Sequence, residues 1–119
     1  MQAVSAVNMR RFIVTGIGLC YHQIAQEECA SGGDGREMYG RALDLLVEAL
    51  NVHIDENDHE YVKLTLLGIM KCFDGVGDGS QAITTAEKLV RWCTRRCDEE
   101  GIVNGNEWYV KMKEKYAVV

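Results

Sequence analysis

Two short stretches of this 119-residue chain gather side chains of the kind that cation chemistry needs. In RCDEEGIVNGNEW, residues 96 to 108, Asp98, Glu100 and Glu107 take the third, fifth and twelfth places of a twelve-residue window, with Gly101 at the sixth. In VGDGSQAITTAE, residues 76 to 87, Asp78, Ser80 and Glu87 take the corresponding places, and Asp74 lies just upstream. Spaced oxygen donors closed by a carboxylate, with glycine at a sharp turn, suit calcium, which takes roughly six to eight oxygen ligands.

Both windows resemble the calcium loop of the EF-hand family, the second of the two in chain order more closely. The resemblance covers the C-terminal third. It implies helix-loop-helix geometry, calcium as the cofactor, and Asp98, Glu100 and Glu107 as ligands ahead of Asp74 and Asp78. The sequence departs from the family pattern at the first ligand position, where Arg96 places a cation beside the bound ion. The windows also begin twenty residues apart, at Val76 and Arg96. That leaves no room for an exiting and an entering helix between two paired loops.

Other chemistries find less. Cys93 and Cys97 lie one helical turn apart, but structural zinc wants four ligands and usually a tighter pair. Both belong to an apolar stripe, where cysteine packs as a small hydrophobe. None of His22, His53 and His59 stands beside a nucleophile in the sequence. Glu27, Glu28, Glu37 and Asp44 loosely suggest a carboxylate-rich metal hydrolase without its Glu-x-x-Glu pairs, so no catalytic residue is assigned.

The elements that must position these groups are helices. Proline is absent, where average usage of about 5% predicts roughly six. Capping boxes, in which a short polar residue and a glutamate three places later satisfy the first backbone N–H groups, are read at Asp34/Glu37, Asn57/Glu60, Thr84/Glu87 and Asn104/Glu107. Apolar residues then recur at helical spacing, as in Met38, Ala42, Leu45, Leu46 and Ala49. An earlier stripe of Met9, Ile13, Ile17, Cys20 and Ile24 marks a first helix, interrupted by Gly16 and Gly18 and read as a core element. The expectation is an all-α fold: a compact bundle of about five helices in one domain, residues 1–119, at about 4–30, 35–54, 58–73, 85–98 and 105–117. No internal repeat is read.

The composition narrows the partners. A net charge of −5 argues against nucleic acid, which needs a basic footprint. No run reaches the ~20 apolar residues of a membrane span. Five cysteines without a framework suit a reducing, intracellular and cytoplasmic setting. By elimination the chain is expected to be a non-enzymatic module that binds a protein partner or itself. Lys88, Arg91 and Arg95 share one helical face suited to an acidic partner, and Trp108, Met112 and Tyr116 form a second candidate stripe. Homo-oligomerisation, by pairing of surplus apolar helix faces, is the third expectation.

Overall fold

Asp58, Asp78 and Asp98 recur at twenty-residue intervals, and each does the same work. The computed structural model describes residues 6–117. Among these it has five α-helices and no strand: α1 Ala6–Ala30, α2 Arg36–Asp55, α3 His59–Gly75, α4 Gly79–Arg95 and α5 Glu99–Lys115. The fold is an all-α bundle. The last three helices each hold 17 residues and follow a three-residue turn.

Each turn closes one helix and opens the next with the same bonds. Asn57, Gly77 and Cys97 adopt left-handed backbone, at φ 52°, 79° and 54°. The following aspartate N–H reaches back five residues to a helical carbonyl: Asp58 to His53, Asp78 to Phe73, Asp98 to Cys93. Its carboxylate then accepts the N–H three residues ahead, from Tyr61, Gln81 or Gly101. A helix end and a helix start are thus satisfied within three residues. The first turn ends α1 in the same manner, with Gly33 bonded to the Glu28 carbonyl, and two further residues precede α2.

Sequence reading finds no repeat here, yet a twenty-residue helix-turn unit is present. Only the aspartate is identical at each turn, so the signal is backbone geometry rather than composition. The expected capping boxes shift accordingly. Asn57 is the left-handed residue and Asp58 the cap, while Gly35 precedes α2 and Asp34 accepts the N–H of Arg36. Thr84 and Asn104 lie inside α4 and α5, which begin about six residues earlier than expected. The Thr84 hydroxyl bonds the Ser80 carbonyl one turn back, as a mid-helix threonine does.

Each helix lies mainly against its neighbours in sequence, giving a row of 55 × 33 × 18 Å. Such packing makes every unit depend on adjacent units, as in solenoid proteins. One buried cluster, Ala25, Tyr39, Ala42, Leu46, Ile69 and Cys72, joins α1, α2 and α3. Val62, Leu66, Leu89 and Cys93 join α3 to α4. Met70, Ala82, Ala86 and Met112 bring α5 onto the row.

The first helix reverses its expected orientation. Met9, Ile13, Ile17 and Ile24, read as its core stripe, are exposed, whereas Arg11, Val14, Thr15 and Ala25 are buried. The cause lies on α2. Gly18 lets Leu46 approach to within 2.9 Å of where a β-carbon would sit, and Arg11 and Thr15 hydrogen-bond to buried His53.

Candidate functional site

Turn geometry assembles the densest polar cluster at Asp98. From the start of α5, its Oδ2 accepts His59 Nε2 and Lys63 Nζ, each at 2.7 Å, both from α3. Its Oδ1 takes the Gly101 N–H at 2.9 Å. These donors, Lys63 first, then Gly101 and His59, hold its carboxyl well below the usual range. On α4, Trp92 donates its indole N–H to His59 Nδ1 at 2.9 Å. Indole nitrogen only donates, so Nδ1 must accept and the proton sits on Nε2, facing Asp98. The guanidinium carbon of Arg96 lies over the Trp92 ring, 3.3 Å from its centroid, and Arg96 hydrogen-bonds to Asn57 of the preceding turn. Three helices and two turns are latched by one set of side chains.

These bonds determine what the cluster can do. Both imidazole nitrogens of His59 are committed, so the ring is neither a free base nor an open ligand. Lys63 is held by Asp98 and by Glu60 at 3.3 Å. Nearby Cys93 is buried and its thiol pushed up, chiefly by burial, the opposite of an activated nucleophile. The arrangement is a structural latch.

Asp98, Glu100 and Glu107 border one open cleft of about 1070 Å³, with Asp98 at the head of α5 and the two glutamates on its helical body. Among the described residues, no group of three or more His, Cys, Asp or Glu is arranged to hold a metal ion. Asp74 is engaged elsewhere: it accepts Tyr116 Oη at 2.7 Å and Lys115 Nζ at 2.8 Å. Burial raises its pKa, but those two donors outweigh it and leave the carboxyl low. Burial and then Asp74 push Tyr116 up to about 12. Asp78 caps α4. Cys93 is buried and Cys97 exposed, so their thiols are not on a shared face.

The remaining candidates separate. Met112 is 1% exposed, and Trp108 and Tyr116 pack against the same buried cluster, so this stripe is the seam holding α5 in place. Lys71 and Lys111 flank the Trp108 ring at 5.2 and 4.7 Å from its centroid. Lys88, Arg91 and Arg95, by contrast, are all exposed on α4. None forms an ion pair among the described residues.

A second polar cluster, between α1 and α2, was not legible in the sequence. Arg11, 7% exposed, donates to His53 Nδ1 and to Asp58 Oδ2, both at 2.8 Å. The guanidinium is always a donor, so His53 carries its proton on Nε2 and gives it to Thr15 Oγ1 at 2.7 Å. Thr15 in turn donates to the Arg11 carbonyl at 2.7 Å. Burial, then the Arg11 charge, lowers the His53 pKa, with Asp58 opposing. The pairing spans 42 residues, which helical periodicity cannot reveal.

No helix among the described residues is long and apolar enough to cross a membrane. Compared with protein-family models, with curated proteins and with solved structures, the chain matches none. Fold and site together define a row of capped helices with latched turns and an exposed cationic ridge on α4 that forms no ion pair among the described residues.

Proposed function

We propose that the chain is a non-enzymatic interaction module, and that the α4 ridge of Lys88, Arg91 and Arg95 docks an acidic segment of a partner protein. One observation supports this reading: three exposed cations on one helix have no acidic partner among the described residues, in a chain of net charge −5. The chain has eighteen side-chain carboxylates, and the clusters around Asp98 and His53 are internally hydrogen-bonded. Cations left unpaired amid so many acids are free to meet an external carboxylate surface, which would steer association and fix register. The five unpaired thiols suit a reducing, intracellular setting for such a partner.

The test is binding of a labelled glutamate-rich helical peptide, followed by fluorescence anisotropy at low and at physiological salt. The chain should bind it, more weakly as salt rises, and a Lys88→Glu, Arg91→Glu, Arg95→Glu variant should lose binding while keeping its helical spectrum. Equal affinity of the variant, or no binding at low salt, overturns the proposal.

A further inference from the structure

The cleft beside the Asp98 latch, about 1070 Å³, runs between α3 and α5, with Leu89 of α4 behind it. Its walls carry Glu60, Glu99, Glu100 and Glu107. The two cations that line it are already engaged: Lys63 with Asp98 and Glu60, Arg96 with Trp92 and Asn57. Glu99, Glu100 and Glu107 are exposed and form no ion pair among the described residues. Between the carboxylates the lining is apolar, from Leu64, Leu67 and Val103. An apolar trough with an acidic rim suits lysine and arginine, whose hydrocarbon stems lie on apolar surface while their heads stay polar.

The chain itself presents such side chains, on the far side of α4. Ala86, Leu89 and Cys93 turn inward, whereas Lys88, Arg91 and Arg95 are exposed. One helix therefore lies behind the cleft and forms the cationic ridge on the opposite face, so no chain can seat its own ridge in its own cleft. A second copy can, and the spacing matches. Lys88, Arg91 and Arg95 fall at i, i+3 and i+7. Glu100, Asn104 and Glu107, all exposed and all lining the cleft, fall at i, i+4 and i+7. Laid antiparallel, the two sets have the same intervals: Arg95 meets Glu100, Arg91 meets the Asn104 amide oxygen, and Lys88 meets Glu107. Each set spans about 10.5 Å of helix axis at 1.5 Å per residue. Glu60 and Glu99 add negative charge at the Arg95 end, because α3 and α5 begin side by side where Asp98 bonds His59 and Lys63.

We propose that copies of the chain assemble head to tail, the α4 ridge of one seated antiparallel in the α3–α5 cleft of the next. This rests on the reading of the ridge given above and names its acidic partner as the chain's own cleft. Ridge and cleft lie on opposite faces, so the contact is heterologous and propagates into a filament or ring instead of stopping at a two-fold dimer. Exposed charge pairs are individually weak, so the assembly depends on concentration and is dispersed by salt.

Sedimentation velocity of the full chain, from micromolar to near-millimolar concentration at low and at high salt, tests it. At low salt the average mass should grow past that of a dimer as concentration rises, and added salt should return the monomer. Lys88→Glu with Arg91→Glu and Arg95→Glu should stay monomeric and keep its helical spectrum. Register is read by two swaps of equal net charge. Arg95→Glu with Glu100→Lys restores one pair with its signs reversed, and should assemble as the natural chain does. Arg95→Glu with Glu107→Lys sets like charges together at both ends, and should assemble at least about tenfold more weakly.

A monomer throughout the series, a mass that stops at a dimer, or equal behaviour of the two swaps overturns the proposal. A chain that binds the glutamate-rich peptide yet stays monomeric keeps the ridge for a foreign partner and rejects self-assembly. Assembly that follows the two swaps in a chain that ignores the peptide rejects the foreign partner and upholds the head-to-tail contact.

Discussion

Acidification should destabilise this chain through His53, a buried neutral imidazole whose two nitrogens are both committed. A proton added at Nδ1 would point at the Arg11 N–H now 2.8 Å away, setting donor against donor and cation against cation. The groups facing the ring are Arg11, Asp58 and Thr15, with the Tyr61 and Phe12 rings tilted against it at centroid distances of 5.0 and 6.1 Å. The folded pKa lies below the ordinary value of 6.5, burial being the main cause and Arg11 the next. Above about pH 6.5 both folded and unfolded states hold a neutral His53, and its packing contributes in full. Below that, the unfolded chain binds the proton first, so stability falls until the folded pKa is passed. If the folded ring stays neutral to pH 5.5, the loss from pH 7.5 is about 1.4 kcal/mol. In a domain of this size that is about 5 °C in melting temperature. The assay is urea denaturation at pH 7.5, 6.5 and 5.5 for the natural chain and for His53→Gln, which keeps a donor and an acceptor but cannot titrate. His22, whose pKa burial and then Lys71 also lower, contributes with the same sign to both proteins, so their difference isolates His53. The variant should start less stable yet lose less on acidification. Equal losses in the two proteins would refute the neutral, doubly bonded imidazole.

The remaining predictions test the turns. Asp78→Ala, which removes a cap alone, should cost about 1 kcal/mol by urea denaturation; Asp98→Ala should cost more in the same assay, because it also strands Lys63 and His59. Cys97→Gly should stabilise by about 1 kcal/mol, since a non-glycine residue in the left-handed region is strained and Gly77 already fills the equivalent place. Gly75→Ala would put a β-carbon 2.3 Å from the Tyr39 ring and should destabilise by about 1–3 kcal/mol, readable as a lowered melting temperature. Millimolar calcium should leave Trp92 and Trp108 fluorescence unchanged, because Asp98 is already held by three donors and Arg96 stands beside it; a saturable change would restore the cation reading.

The helical class and the number of helices were legible because five apolar periods and the absence of proline agree. The turns were misread for a specific reason. A short polar residue followed three places later by glutamate is also what an ordinary helix interior contains, since glutamate is a good helix former. The true cap signal was an aspartate preceded by a residue able to take left-handed backbone. Asn57 and Gly77 advertise that, but Cys97 does not. The same aspartates made the turns look like cation loops. Capping carboxylates and calcium ligands are both oxygen donors gathered at helix ends, and the twenty-residue interval that argued against paired loops is the length of the helix-turn unit itself. The latch partners of Asp98 stood out of reach, because His59 and Lys63 lie 39 and 35 residues away.

Why α1 turns its polar residues inward follows from the same bonds. By hydrophobicity alone Met9, Ile13, Ile17 and Ile24 are better core residues than Arg11, Thr15 and Gly18. The rotation is fixed by shape and by polar pairing. Leu46 needs the missing β-carbon of Gly18, and an outward Arg11 would leave His53 and Asp58 without their shared donor. Removing one partner from a buried charged group is costly, whereas exposed isoleucines lose only the gain of burial. The polar network thus selects a rotation that hydrophobicity would not select, and leaves the displaced apolar stripe of α1 exposed.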